Sequence, residues 1–169
     1  DTLEYRAFHL LRHSMAQAEC IPGNTLFTPL RMRKSPEEIE LMKQSGRMSD
    51  EIMRDTVAHL EQGMSEAEVK TWLEYELSLR GMRDGFSNLV VFGENTSNVH
   101  HVSGDRRLQD GDAVYLDLGG AYRHYWSDIT RSFHVGKPTA RYVEVYQRVR
   151  EAQQLAFDAI RPGMRTGDV

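Results

Sequence analysis

The sequence predicts an α+β fold, with helices packed on one face of a largely antiparallel sheet. Three observations carry this. Two segments open on capping boxes and continue with apolar residues at helical spacing. Near residue 86 the pattern changes to short runs of β formers bounded by turn residues. Beyond residue 138 the helical spacing returns. A block of helices, a block of strands and a closing helix fit helices segregated on one side of a hairpin-connected sheet.

Taken in order, residues 3–19 place Leu3, Phe8, Leu10, Leu11 and Met15 among polar residues, which predicts a helix. Ile21-Pro-Gly-Asn24 breaks it. Thr25 to Lys34 reads as a connector, because Pro29 opposes regular helix. Ser35-Pro-Glu-Glu38 is a strong helix start: Ser35 caps, Pro36 suits the first helical position and Glu38 completes the box. Ile39, Met42, Ile52, Met53, Val57 and Leu60 form the stripe behind it, and Gly46 and Ser49 on that stripe predict a bend or a close approach. After Gln62-Gly63, Ser65-Glu-Ala-Glu68 starts a second helix whose stripe is Val69, Trp72, Leu73 and Leu77, closed by Gly81. Phe86 to Phe92 then reads as a strand, Gly93-Glu-Asn-Thr-Ser97 as a loop, and Gln109-Asp-Gly-Asp112 as the turn into a hairpin. Val143 to Ile160 is the last helix, stopped by Arg161-Pro-Gly163.

Length and composition exclude several classes. The 169 residues suffice for one ordinary domain with a sizeable core. A net charge of −4 without a basic stripe argues against nucleic acid, and Arg31-Met-Arg-Lys34 is short enough to be a solvated segment. The longest strongly apolar run, Leu89-Val-Val-Phe92, falls far short of the roughly 20 residues a membrane span needs. A single cysteine, Cys20, excludes an internal disulfide framework and suits a reducing, cytoplasmic compartment. A start at Asp1 and a stop at Val169 read as a piece of a longer polypeptide.

The chemistry centres on two acids. Asp117 interrupts the apolar run Ala113-Val-Tyr-Leu-Asp-Leu118, and Asp128 lies in Tyr125-Trp-Ser-Asp-Ile-Thr-Arg-Ser-Phe133. A hairpin turned by Gly119-Gly120 and the polar residues after it, closing around Tyr122-Arg123, would pair position 117 with 128. Two carboxylates directly opposed would have Cβ atoms roughly 4.5–5.5 Å apart, which is destabilising unless a cation joins them or one is protonated. Taken singly, each acid has an ordinary explanation: Asp128 pairs with Arg131, or Asp117 with Arg123. Together, on a run that otherwise wants burial, they favour a divalent cation held by carboxylate oxygens. Two such cations roughly 3.5–4 Å apart would form a hydrolytic site. His100 and His101 lie in a polar loop nearby in sequence. His9 and His13 have a chelating spacing but no converging acid, so a solvated face is the better reading. The chain has no P-loop, GxSxG or HExxH motif.

Four segments in succession identify a family. Asn98-Val-His-His-Val-Ser-Gly-Asp-Arg106, Leu108-Gln-Asp-Gly-Asp112, Val114-Tyr-Leu-Asp-Leu-Gly119 and Tyr125-Trp-Ser-Asp-Ile-Thr-Arg-Ser-Phe133 resemble the first half of the pita-bread metallopeptidases. The nearest groups are the Xaa-Pro aminopeptidases and the Xaa-Pro dipeptidases, or prolidases. Arg33-Lys-Ser-Pro-Glu-Glu-Ile39 resembles the approach to their catalytic domain. On this resemblance residues 1–29 are the tail of a preceding domain and a linker, and residues 30–169 are the first half of the catalytic domain.

The resemblance implies a metal-dependent peptidase that cleaves Xaa-Pro bonds with water activated between two divalent ions, manganese first, cobalt or zinc as alternatives. Asp117 resembles the carboxylate that binds one metal, and Asp128 the one that bridges both. His100 resembles the histidine that contacts substrate and stabilises the tetrahedral intermediate, with His101 as the alternative because Val99 replaces the usual proline or leucine. Thr130 is the expected support for a metal carboxylate. The partner is a proline-containing peptide, and the full-length protein is expected to be a homodimer. The family completes its metal site with one histidine and two glutamates from the second half, so this chain alone is expected to bind metal weakly and to be inactive. A non-catalytic pita-bread binding module and a creatinase-like, metal-independent hydrolase are the rival readings, and retention of both aspartates argues against each. A methionine aminopeptidase is disfavoured by the Arg33-to-Ile39 segment.

Overall fold

A computed structural model describes residues 3–169. Among these residues, five α-helices and six strands fall in the anticipated blocks of helices, strands and a closing helix. The helices are α1 (Tyr5–Ser14), α2 (Asn24–Met32), α3 (Pro36–His59), α4 (Glu66–Leu79) and α5 (Ala140–Ala159). The strands are β1 (Arg83–Asp84), β2 (Leu89–Phe92), β3 (Ala113–Leu118), β4 (Gly120–Tyr122), β5 (Tyr125–Trp126) and β6 (Ile129–His134). All pairings are antiparallel, in the orders β2-β3-β6 and β1-β4-β5. No helix among the described residues is long and apolar enough to cross a membrane.

Both capping boxes form. Ser35 accepts from the Glu38 amide and Glu38 accepts from the Ser35 amide, and Ser65 and Glu68 repeat the exchange at α4. The stretch from 25 to 34 departs from the connector expected, because α2 runs through Pro29. Pro29 is the sixth of the nine residues, so the helix forgoes the bond to the Thr25 carbonyl, which is exposed and can be satisfied by water. α3 is a single unbroken helix. Gly46 faces open space, and the close approach is made instead by Ser45 and Ser49. Ser45 Oγ donates to the Gly120 carbonyl at 3.1 Å, and both serine hydroxyls meet Ser127 Oγ at 3.1 and 2.7 Å. These bonds tie the middle of α3 to the hairpin that carries Asp128.

The core lies between α3, α4 and the sheet. Ile52 and Met53 from α3 and Val69, Leu73 and Leu77 from α4 pack on Val90, Phe92, Val114, Leu116 and Leu118. Each such side chain contributes roughly 1.5–3 kcal/mol on burial. Strict alternation along β3 buries Val114, Leu116 and Leu118 against the helices, so Ala113, Tyr115 and Asp117 face the other way. The fold thus places Asp117 on the side of the sheet that α3 and α4 do not cover.

The hairpin register differs from the one anticipated. Tyr122 pairs with Tyr125 and Ala121 with Trp126, so the two-residue turn is Arg123-His124, both with positive φ (48° and 73°). That is the left-handed geometry whose twist matches the flanking strands. Asp117 therefore pairs with Thr130, and Leu118 with Ile129. Gly119-Gly120 does not turn the chain; it lies within the hairpin arm where the backbone is crowded. A Cβ on Gly119 would lie 2.3 Å from the Ser127 carbonyl oxygen and 2.5 Å from the Phe86 ring. Gly119→Ala is expected to destabilise the protein by about 1–3 kcal/mol, the usual cost of overpacking, seen as a lower thermal midpoint.

Candidate active site

Continuing the observed register beyond Leu118 and Ile129 sets Gly119, not Asp117, opposite Asp128. The aspartates are diagonal neighbours on one face, a relation that in a regular ladder separates Cα atoms by roughly 7–8 Å. This relaxes the repulsion of a directly opposed pair while keeping both carboxylates on the uncovered side. Asp117 is half-buried and Asp128 exposed.

Asp117 is braced on both oxygens. Thr130 Oγ1 donates to Oδ1 at 2.7 Å from the directly opposed position on β6, and the Tyr115 hydroxyl donates to Oδ2 at 3.3 Å from two residues back on the same face. Burial raises the Tyr115 pKa, and the negative charges of Asp117 and Asp128 raise it further. That phenol thus remains a neutral donor in a field set by both acids. The arginines that offered ordinary explanations are engaged elsewhere: Arg131 Nη2 meets Asp50 Oδ1 at 3.1 Å, and the Arg123 guanidinium lies 5.5 Å from the centre of the Tyr122 ring.

The donor set suits a divalent cation. Two carboxylates share one face, the oxygens are hard donors, and Asp117 is oriented by hydroxyls that leave lone pairs free. Among the described residues no cluster of three or more His, Cys, Asp or Glu side chains is placed to hold a metal. Thr130→Val, nearly isosteric, removes the brace without the charge. If Asp117 ligates a metal ion, the loss of this brace is expected to cost about 10–100-fold in metal affinity, measured by metal titration of the full-length protein.

The two loop histidines occupy different environments. His100 is exposed, and its backbone N–H donates to Asn98 Oδ1 at 3.2 Å. His101 is half-buried, with Nε2 2.9 Å from Glu66 Oε2. Glu66 is fully buried and also accepts from the amides of Phe92 (2.8 Å) and Gly104 (3.1 Å) and from Asn95 Nδ2 (3.0 Å). Burial alone would push its pKa up, but the bonds from Asn95, Phe92, Gly104 and His101 outweigh this and hold it below the ordinary value. A depressed carboxylate contributes stability above its unfolded pKa and loses it as pH falls through the folded one. Sequence reasoning passed over Glu66, which looks there like an unremarked acid inside a capping box. Its place in the first turn of α4, where negative charge is favoured, was the available signal. Of the other histidines, His59 stacks on Trp72 with ring centres 4.3 Å apart, and His134 meets the edge of Tyr142 at 5.0 Å.

An antiparallel sheet, backed by two helices and presenting paired aspartates on its open face, defines the N-terminal half of a pita-bread domain. The chain belongs to metallopeptidase family M24, whose profile matches residues 40–169. It is 36% identical to the Xaa-Pro dipeptidase of Pyrococcus furiosus over 96% of its own length and 47% of that protein. The prolidase of Pyrococcus horikoshii OT3 superposes with a TM-score of 0.88 at 29% identity, over 97% of this chain and 48% of that one. The X-Pro aminopeptidase of Thermotoga maritima MSB8 superposes with a TM-score of 0.83 at 29% identity, covering 90% and 43% respectively. The chain thus spans about half the length of these relatives.

Proposed function

We propose that this chain carries the first half of the catalytic domain of a metal-dependent peptidase that cleaves Xaa-Pro bonds. The observation that supports this most is the pair of aspartates on the open face, one braced by Thr130 and Tyr115, in a chain of the M24 family. Residues 30–169 form that half-domain, and residues 1–29 lead into it. Asp117 and Asp128 would hold the metal ions, manganese by preference, with a histidine and two glutamates from the second half completing the set. Bound there, the ions supply Lewis acidity and a water of lowered pKa.

The chain's own residues do the rest. Thr130 and Tyr115 hold the Asp117 carboxylate in one orientation, so no reorganisation is needed when substrate arrives. As the scissile carbonyl becomes tetrahedral, its oxygen gains negative charge, and an imidazole N–H from the exposed His100 stabilises it. The substrate is a proline-containing peptide, and the working protein is a cytoplasmic homodimer. The test is direct. The full-length protein, loaded with manganese, is incubated with Xaa-Pro dipeptides and with longer Xaa-Pro peptides. Cleavage at the Xaa-Pro bond that is abolished by chelation is expected, with no cleavage by the 169-residue chain alone. Equal cleavage of peptides lacking proline, or activity in the chelated protein, would refute the reading.

A further inference from the structure

The loop from Phe92 to Gly104 leaves the end of β2, makes a 3₁₀ turn over Gly93–Ser97, and returns beside the start of α4. One buried group touches it at four places. The Glu66 carboxylate accepts from Phe92 N and Asn95 Nδ2 on the outgoing arm, and from His101 Nε2 and Gly104 N on the returning arm. His100 lies between the two sets of contacts, next to the only ring in the set. The backbone of the same helix start reinforces the attachment: Glu66 N donates to the Arg106 carbonyl and Ala67 N to the Gly104 carbonyl, each at 3.0 Å.

We infer that Glu66 is a positioning residue for the peptidase reaction, its buried carboxylate holding the loop closed so that His100 is set toward the scissile bond. This rests on the role proposed for His100 above. The physical argument concerns unpaired groups. A fully buried carboxylate is costly unless its oxygens are well supplied with donors, and here four donors from one loop converge on it. The reverse dependence is equally strong, because an open loop would leave that carboxylate desolvated and unpaired. The loop therefore has one strongly favoured arrangement. A residue neighbouring its tethered ring inherits that order, although its own side chain is exposed. Catalysis is sensitive to such order, since a misplacement of about 1 Å can cost about 10²-fold in rate.

The experiment uses the full-length, manganese-loaded protein. Glu66→Gln keeps the shape but turns one acceptor oxygen into a donor facing other donors. The expected result is a fall in kcat of about 10²-fold, with KM and bound metal unchanged. In a His100→Ala background the same substitution should cost nothing further, because the group it positions is gone. An equal fall in both backgrounds would show a merely structural role and overturn the inference, as would no fall in either. His101→Phe removes one tether at the half-buried rim. It should give a smaller fall that also vanishes without His100, which keeps the test decisive should Glu66→Gln fail to fold. Independently of activity, ¹⁵N-histidine spectra of Glu66→Gln should show both His100 and His101 ring signals displaced, with those of His59 and His134 unmoved. Displacement of His101 alone would refute the hold on His100. A wild-type protein that cleaves no Xaa-Pro peptide would refute the proposed function instead, and the spectra would still decide whether Glu66 orders the loop.

Discussion

Asp128→Asn and Asp117→Asn, each made in the full-length protein, should remove metal binding and activity together while leaving the fold intact. The amide conserves shape. At position 117 it still offers Thr130 an acceptor oxygen, so the lost quantity is charge rather than packing. The loss should exceed the roughly 10–100-fold cost of removing an outer brace, because a ligand itself is gone. The two states of the protein give opposite signs in stability. Without metal, two like charges on one face are unfavourable, so neutralising one should leave the thermal midpoint unchanged or raise it. With saturating manganese the wild type gains stability by mass action, and the variants should lose most of that gain. Metal stoichiometry, thermal midpoints with and without manganese, and Xaa-Pro hydrolysis check the three expectations. A variant that retains wild-type metal content and turnover would remove that aspartate from the metal set. A fall in the metal-free midpoint would mean that its carboxylate is a structural group instead.

How much of this was legible before the structure follows from the range of the forces involved. The capping boxes at Ser35 and Ser65 and the apolar stripes behind them are local, and they mark where α3 and α4 begin. The alternation of Val114, Leu116 and Leu118 against Tyr115 and Asp117 is also local, and it puts the acid on the uncovered face. The register of the hairpin was not readable to the residue. Nothing in Tyr122-Arg123-His124-Tyr125 carries the glycine or asparagine that ordinarily signals positive φ, so the sequence points to a turn one residue earlier than the one formed. That displaces the pairing by two positions, which preserves the face of each side chain. The two aspartates thus remained on one face while their assumed direct opposition did not survive. Glu66 was hidden for a different reason. Its role depends on Phe92, Asn95, His101 and Gly104, which are 26 to 38 residues away along the chain, and no periodicity encodes a contact of that kind.

His100→Ala in the full-length, manganese-loaded protein should lower kcat by about 10²–10³-fold, the cost of removing one donor to a developing oxyanion, while the bound metal stays at the wild-type level. The structure sharpens this expectation by separating the two histidines that the sequence left as alternatives. His101 spends its Nε2 on the buried Glu66 carboxylate, 2.9 Å away, and cannot give that nitrogen to substrate without leaving the carboxylate short of a donor. His100 is exposed and forms no ring hydrogen bond among the described residues, so its ring nitrogens remain available. The ranking follows. His100→Ala should reduce kcat more than His101→Ala, because the first removes the donor and the second only loosens the loop that presents it. KM should move less than kcat in both, since the interaction is made with charge that exists only as the carbonyl becomes tetrahedral. Steady-state kinetics on an Xaa-Pro peptide, with metal analysis of each variant, provide the measurement. The opposite ranking would transfer the oxyanion role to His101, and a loss of metal in His100→Ala would make that residue a ligand instead of a donor to substrate.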